Sequence, residues 1–159
     1  MKALVLIDFQ EGWVNKSSED YVGDISEVLD RVRILVSYCR KMGYKIVFTK
    51  HVDDEFNSEL IDGFFKDGDS LVVKNKVSSF YKTEMDDVLG GVDEVVVCGI
   101  LTNLCVRSFV SDAYDRDMNV IVVKDCCACY DSKVQEFTFK DLKETRPEIE
   151  FFDLEKFYK

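Results

Sequence analysis

The sequence predicts an α/β protein in which a six-stranded, mostly parallel, doubly wound sheet lies between two layers of helices. Two observations lead to this fold class. Short apolar, β-branched runs alternate along the chain with segments of helical periodicity. Several of these runs are apolar throughout, which is typical of strands covered on both faces of a parallel sheet. Such alternation requires crossover connections, and these predict the three-layer α/β/α arrangement.

The predicted strands are short and are bounded by polar or turn-forming residues. They comprise residues 3–7, 44–48, 70–73, 94–98, 119–123 and 148–152. The third strand follows a longer, irregular acidic segment, 50–69, which also contains aromatic residues. That segment has neither strand nor helix periodicity, so we expect it to be a loop.

Two helices are predicted from their apolar spacing and their end signals. The first carries apolar residues at helical spacing over 25–39, with Asp24 as its N-cap and Gly43 as its C-terminal stop. The second begins near Thr83, where Asp86 three residues later completes a pattern like a capping box.

A third helix is predicted after the fourth strand, and a fourth covers roughly 133–144. The apolar face of the third comprises Val106, Phe109, Val110, Ala113 and Tyr114. Cys105 falls in its first turn, where unpaired amide N–H groups and the helix dipole favour a negative charge.

Composition limits the classes of protein that the chain can represent. The 159 residues contain no repeat or linker, so one domain, 1–159, is expected. A net charge of -10 argues against binding to nucleic acid or to anionic membrane surfaces, both of which need a basic face. No apolar run approaches the roughly 18 residues of a membrane span, and the N-terminus lacks a signal-peptide pattern. We therefore expect a cytoplasmic protein whose six cysteines are reduced thiols.

Several chemically active residues follow the predicted strand ends. They are Asp8, His51, Lys74, the segment 99–105 and Asp125. Ligands of doubly wound sheets bind beyond the carboxyl ends of the strands, so these residues are expected to converge on one edge of the sheet.

Each of three residues in this set has both a catalytic and an ordinary interpretation. Cys105 at a helix start is expected to have a lowered thiol pKa and to act as a nucleophile, although many cysteines are simply small buried residues. Lys74 can hold a thiolate or stabilise a developing negative charge, or it can be a surface lysine. Asp8 can take part in the chemistry or merely cap neighbouring amides.

The three residues together carry a family resemblance. Asp8 within LVLIDFQ, Lys74 within VVKNKVSSFYKT and Cys105 within CGILTNLCV resemble the cysteine hydrolases of the isochorismatase-like superfamily, the branch related to nicotinamidases. The similarity covers nearly the whole chain. It implies a cysteine-dependent hydrolase that cleaves a C–N bond of a small carboxamide or ureide through a thioester intermediate.

The resemblance also implies a role for each residue of the site. Asp8 would take the thiol proton and later deliver it to the leaving amine, while Lys74 would stabilise the resulting charges. Cys105 would attack the carbonyl carbon. The backbone N–H groups of Leu101 and Cys105 would form the oxyanion hole, next to a cis peptide bond at Ile100–Leu101.

Further expectations concern the pocket, metals and partners. Trp13, His51 and Phe80 are expected to belong to the substrate pocket, although His51 can equally be structural. Nicotinamidases of this superfamily usually carry a metal on an aspartate and two or more histidines, whereas His51 is the only histidine here. We therefore expect no metal and no cofactor. The expected partners are a small amide or ureide substrate and further copies of the chain, in a homodimer or larger assembly.

The segment DCCACYD, residues 125–131, invites a metal or redox interpretation. Cys126 and Cys129 have the C-x-x-C spacing, but no second pair that would complete a zinc site is evident. The simplest interpretation is that these cysteines, together with Cys127, pack behind the active-site edge. A sharper hypothesis is that one of them traps oxidised Cys105 in a disulfide.

Two alternatives stay open at this point. One is a family member without catalytic activity that serves as a binding or assembly module. The other is a flavodoxin-like or nucleotide-binding protein with a doubly wound sheet, although the chain has neither a G-x-G-x-x-G motif nor a P-loop.

Overall fold

A computed structural model describes the whole chain, residues 1–159, and its sheet lies between helices as expected. The strands are β1 (Lys2–Ile7), β2 (Lys45–His51), β3 (Ser70–Lys74), β4 (Glu94–Ile100), β5 (Asn119–Ala128) and β6 (Glu150–Phe152). The helices are α1 (Ser26–Lys41), α2 (Met85–Val88), α3 (Arg107–Tyr114), α4 (Ser132–Thr145) and α5 (Leu154–Phe157). A 3-10 turn at Glu11–Trp13 and a π-helical turn at Thr102–Val106 complete the set.

The sheet order is β3-β2-β1-β4-β5-β6, and every neighbouring pair is parallel. The strands β2 and β3 thus lie on one side of β1, and the strands β4, β5 and β6 follow one another on its other side. Right-handed crossovers in opposite directions place helices on both faces of the sheet. The predicted fold class is confirmed, with a sheet that is parallel throughout. The strand order reverses between β1 and β4, which is where sheets of this type bind ligands.

All six predicted strands are present, and four of them continue further than their apolar runs. β2 extends to His51 and β3 to Lys74, so these two residues end their strands instead of following them. β4 extends to Ile100 and β5 extends to Ala128. Asp125 therefore lies inside β5 rather than beyond its end, and its predicted convergence on the site is wrong. Its Oδ1 accepts a hydrogen bond from the Leu154 N–H at 2.8 Å, and its Oδ2 lies 3.6 Å from Arg31 Nε.

The helix ends agree with the sequence signals only in part. Asp24, the predicted N-cap, accepts a hydrogen bond from the Ser26 N–H at 3.0 Å, but the N-cap position in the structure is occupied by Ile25, one residue later. Thr83 accepts a hydrogen bond from the first N–H of α2 at 3.2 Å, whereas Asp86 pairs with Arg116 and completes no capping box. The helix α2 has only four residues, because the chain reaches Gly91 and β4 soon afterwards.

One glycine sets the close approach of β4 to β1 at the site. A Cβ on Gly99 would lie 2.4 Å from the Ile7 Cβ and 2.5 Å from the Ile7 carbonyl oxygen. Only glycine fits this contact, which brings the segment that follows β4 against the end of β1. Both strands are fully buried here, so the site lies against a rigid apolar core.

None of the helices combines the length and apolar character that crossing a bilayer requires.

Candidate active site

The ends of β1, β3 and β4 bring Asp8, Lys74 and Cys105 together. The Lys74 Nζ lies 2.9 Å from the Asp8 Oδ2 and 3.3 Å from the Cys105 Sγ. The side chains of Asp8 and Lys74 are completely buried, and Cys105 is 9% exposed. The ammonium and Asp8 Oδ2 thus form a fully buried ion pair next to the thiol.

Asp8 is held by a dense set of contacts directly after β1. Its backbone has a φ of 53°, in the left-handed region that aspartate tolerates better than most residues. The Thr49 hydroxyl donates to Asp8 Oδ1 and also accepts from the Asp8 N–H, and the Trp13 indole N–H donates to the Asp8 carbonyl at 2.8 Å. Sequence reasoning missed Thr49, whose only signal is a hydroxyl in the otherwise apolar run of β2. These contacts fix one carboxylate oxygen and leave the other toward the thiol.

Lys74, the last residue of β3, is surrounded by acceptors. Besides Asp8 and Cys105, its Nζ lies 3.1 Å from the Lys76 carbonyl oxygen and 3.1 Å from the His51 Nδ1. An ammonium group has three protons, and these partners surround it on several sides. The charge therefore has a fixed position between the carboxylate and the sulfur.

His51, the last residue of β2, links the lysine to a further carboxylate. Its Nδ1 accepts from the Lys74 ammonium, so its proton is on Nε2, which lies 2.7 Å from the Asp53 Oδ2. The hydrogen bond from His51, supported by the N–H groups of Phe56 and Glu55, lowers the pKa of Asp53 to about 2. Asp53, His51 and Lys74 thus form a chain of hydrogen bonds. The ionised Asp53 carboxylate at one end of this chain orients the imidazole.

Cys105 lies in the π-helical turn Thr102–Val106 that precedes α3, and not in the first turn of the α-helix as predicted. The Thr102 hydroxyl, 3.1 Å from the Ala128 carbonyl oxygen and 2.7 Å from the Gln135 Oε1, connects this turn to β5 and α4. The peptide bond Ile100–Leu101 just before the turn is cis. The turn therefore belongs to a tightly connected part of the fold.

The expected lowering of the thiol pKa is wrong. Burial and, after it, the Asp8 carboxylate raise the pKa of Cys105 to about 12, while the Lys74 ammonium opposes both effects. Position at a helix start was the only information available from the sequence, whereas the desolvation of the sulfur depends on the packing around it. Cys105 is thus a thiol at neutral pH, and it needs a base beside it to become a nucleophile.

Asp8 and Cys105 open into a cavity of 320 Å³. Trp13 and His51 line it, as does Leu101. Phe80, predicted as a pocket residue, does not. It is buried in the core, where it stacks on Phe109 with ring centroids 5.3 Å apart and lies beneath the Arg116 guanidinium. The motif around Phe80 gave no information on which way the ring points.

The sequence predicts that the loop 50–69 contributes to the cavity, and the structure identifies the individual residues. Phe56 stacks on Trp13 with ring centroids 4.6 Å apart, and Asp20, Asp53 and Glu55 contribute carboxylates. Phe56 and the last two acids belong to the loop that precedes β3, which has no periodicity from which a direction can be read. The sequence also predicts that 9–14 and 126–131 contribute to the pocket; Trp13 does so, whereas no residue of 126–131 is in the lining.

The cysteines of that segment lie elsewhere. Cys126 and Cys127 are buried in the core, and Cys129 is partly exposed. The Cys127 thiol donates to the Val123 carbonyl oxygen at 3.4 Å. This placement suits residues that pack behind the active-site edge. A disulfide between one of them and oxidised Cys105 stays a prediction, which peptide mapping after peroxide treatment can check.

A metal ion does not fit the donor set at the site. Ligand atoms of Asp8, His51 and Cys105 lie within 4.8 Å of one another, a spacing that metal sites show. The Lys74 ammonium, however, contacts all three of them and occupies the position that a cation would take. Binding a metal here would place two positive charges side by side in a buried site, which is electrostatically unfavourable.

This sheet topology, together with a buried carboxylate, ammonium and thiol at its switch point, places the protein in the class of isochorismatase-like hydrolases. The chain belongs to the isochorismatase family, since the family profile described as "Isochorismatase domain" matches residues 2–148.

Individual relatives are distant in sequence and close in structure. Nicotinamidase 3 of Arabidopsis thaliana is 26% identical over 165 residues, which cover 88% of this chain and 79% of that protein. A "probable inactive nicotinamidase" of the same plant is 24% identical, with 89% and 87% covered. The crystal structure of an isochorismatase family protein from Desulfovibrio vulgaris superimposes with a TM-score of 0.89 at 23% identity, covering 96% of this chain and 94% of that one. At identities this low the structural likeness establishes the fold, the family rests on the profile match, and the substrate is left open.

Proposed function

We propose that the protein is a cysteine-dependent amidohydrolase that cleaves a C–N bond of a small carboxamide or ureide through a thioester intermediate. The observation that carries the proposal is the Lys74 ammonium, 2.9 Å from Asp8 and 3.3 Å from Cys105, at the bottom of an accessible cavity. These are a base, a nucleophile and a stabilising charge in one place, which is the arrangement that covalent hydrolysis needs.

The reaction begins with proton transfer from the Cys105 thiol to the carboxylate of Asp8. Because the pKa of Cys105 is raised to about 12, this transfer occurs together with attack of the sulfur on the carbonyl carbon. The Lys74 ammonium then holds the negative charge that the sulfur acquires. The oxyanion of the tetrahedral intermediate accepts hydrogen bonds from the N–H groups of Leu101 and Cys105.

The second half of the reaction returns the proton. The protonated Asp8 gives it to the nitrogen of the leaving amine, the C–N bond breaks and the acyl group stays on sulfur as a thioester. Asp8 next accepts a proton from water, which attacks the thioester and releases the acid product. The final transfer of a proton from Asp8 to the sulfur restores the thiol.

The proposal is tested by assaying ammonia release from a panel of small carboxamides and ureides, with the matched variants Cys105→Ala and Cys129→Ala. We expect turnover of at least one compound by the wild-type protein and by Cys129→Ala, and mass spectrometry should detect an acyl group on Cys105 during turnover. If no compound is hydrolysed and no acyl group appears on Cys105, the proposal is wrong.

A family member without catalytic activity is the second candidate, and a relative named as an inactive nicotinamidase gives it weight. A protein that only binds its ligand does not require a reactive thiol at Cys105. Selective loss of Cys105 to an electrophile would therefore exclude it, whereas equal labelling of Cys105 and Cys129 would support it.

Asp8→Asn is expected to separate thiol reactivity from hydrolysis. Loss of the carboxylate charge removes one of the causes that raise the pKa of Cys105, so its thiolate fraction at pH 8 should increase. Labelling of Cys105 by iodoacetamide at that pH should therefore become faster. Hydrolysis should fall by about 10³-fold, because no base and acid remains for the leaving amine. Unchanged hydrolysis in this variant, compared with wild type and with Asp54→Asn as control, would contradict the role of Asp8 as base and acid.

His51→Phe is expected to impair positioning of the ammonium. Phenylalanine keeps a ring of similar size but has no acceptor for Lys74, so the kcat should fall by about 10²-fold with little change in the KM. In His51→Asn, the side-chain oxygen can replace Nδ1 as the acceptor, and much of the kcat should return. Steady-state kinetics on the best substrate of the panel measures both effects. Equal losses in the two variants would show that the imidazole does more than accept this hydrogen bond.

A further inference from the structure

The mouth of the active-site cavity carries negative charge without basic side chains to neutralise it. Asp20, Asp53 and Glu55 line the cavity, and no arginine or lysine is among its lining residues. The Lys74 ammonium lies below the lining and is paired with Asp8. A molecule that approaches Cys105 therefore passes a rim of carboxylates.

Two of these carboxylates have no partner in the protein. Asp53 is engaged by His51 and by two backbone N–H groups. Asp20 and Glu55, in contrast, form no ion pair and accept no hydrogen bond through their side chains. Their charges are available to a ligand, and the field of a chain with net charge -10 reinforces them.

An aromatic wall stands beside the two free carboxylates. Trp13 and Phe56 stack with an interplanar angle of 27°, and the edge of Tyr130 meets Trp13 at 6.4 Å between centroids. The Trp13 N–H is fixed on the Asp8 carbonyl, so the wall has a defined position relative to the reacting sulfur. Phe56 covers one face of Trp13, and the accessible part of the tryptophan ring lines the cavity, where it can attract a cation.

We infer that the site is selective for cationic substrates, meaning carboxamides or ureides that also carry an ammonium, guanidinium or quaternary ammonium group. This group binds between the Trp13–Phe56 wall and the carboxylates of Asp20 and Glu55, while the carbonyl group faces Cys105. A substrate with a carboxylate at the same position meets only like charges. The inference rests on the proposed function, because it assumes that the carbonyl of the substrate reaches Cys105.

The test uses three methanethiosulfonate reagents that differ in charge: the cationic trimethylammonioethyl, the neutral methyl and the anionic sulfonatoethyl ester. Each transfers its thioalkyl group to a thiolate, forming a disulfide and releasing methanesulfinate. Tandem mass spectrometry measures the rate at Cys105, and each rate is divided by the rate with free 2-mercaptoethanol. We expect a cation-to-anion ratio on the order of tenfold above that of the free thiol.

Two variants distinguish the effect of the rim carboxylates on reagent selectivity from the effect of Asp8 and Lys74. In Asp20→Asn/Glu55→Gln, the ratio should fall toward that of the free thiol, because Asp8 and Lys74 are unchanged. In Asp54→Asn, which alters an exposed neighbour outside the lining, the ratio should stay as in wild type. Addition of 1 M salt should lower the ratio in wild type, since it screens exposed charges.

The possible failures are distinct. Fast modification of Cys105 by the neutral reagent without preference for the cation would overturn the inference and leave the proposed hydrolase intact. A preference for the cation that the double variant retains would also overturn it, since the selectivity would then come from elsewhere. Resistance of Cys105 to all three reagents would overturn the inference together with the proposed function.

Discussion

Replacement of Cys105 with alanine will lower hydrolysis by at least about 10⁴-fold, because no other nucleophile lies at the bottom of the cavity. The variant should fold normally. Removing one buried sulfur next to an open cavity changes the free energy of unfolding by about 1 kcal/mol or less. Ammonia release and thermal unfolding, measured on the same preparation, check both statements.

The matched control is Cys127→Ala, which removes an equally buried thiol that does not line the cavity. Its activity should equal that of wild type to within a few-fold. If Cys105→Ala kept wild-type turnover of the true substrate, the nucleophile would have to be another group and the mechanism proposed above would be wrong.

The second large effect is on stability. Lys74→Met should abolish hydrolysis and also lower the free energy of unfolding by about 3–5 kcal/mol, because Asp8 is left as an uncompensated charge in a fully buried position. For a chain of this size, the Tm should fall by roughly 10 °C. Denaturant unfolding and a thermal scan measure the loss. Lys76→Met, which changes an exposed lysine two residues further along, should leave both activity and stability unchanged.

The double variant Asp8→Asn/Lys74→Met provides the decisive comparison. It removes both charges of the pair, so most of the stability lost in Lys74→Met should return, whereas hydrolysis should stay absent. Equal stability of the double variant and Lys74→Met would show that the loss comes from packing around the lysine stem and not from the unpaired carboxylate.

The strands β4 and β5 both extend further than the apolar patterns that predict them. The apolar runs 94–98 and 119–123 located both strands, but the strands continue through Gly99 and through Lys124 and Asp125. Pairing between the two strands extends the ladder beyond the apolar residues, as the register of Gly99 with Cys127 shows. Strand ends therefore depend on the neighbouring strand, and for this reason Asp125 was wrongly placed at the active-site edge.

The site was predictable to the extent that topology alone determines it. Parallel strands all end at one edge of the sheet, so Asp8, which follows β1, and Lys74, which ends β3, had to lie on the same side as the segment containing Cys105. Phe80 shows the limit of this reasoning. It is in a motif of the site, but the direction of its ring is decided by its packing on Phe109.

The amino-acid sequence by itself determined the order of strands and helices, the apolar core and the chemical groups that meet at the switch point, because these follow from periodicity and connectivity. Only the tertiary structure decided how these groups behave. Burial of the sulfur raises the pKa of Cys105, the surrounding acceptors fix Lys74, and loops without periodicity place Asp20 and Glu55 beside an aromatic wall. Such properties depend on distance and solvent access between residues far apart in the chain, which no local pattern of residues encodes.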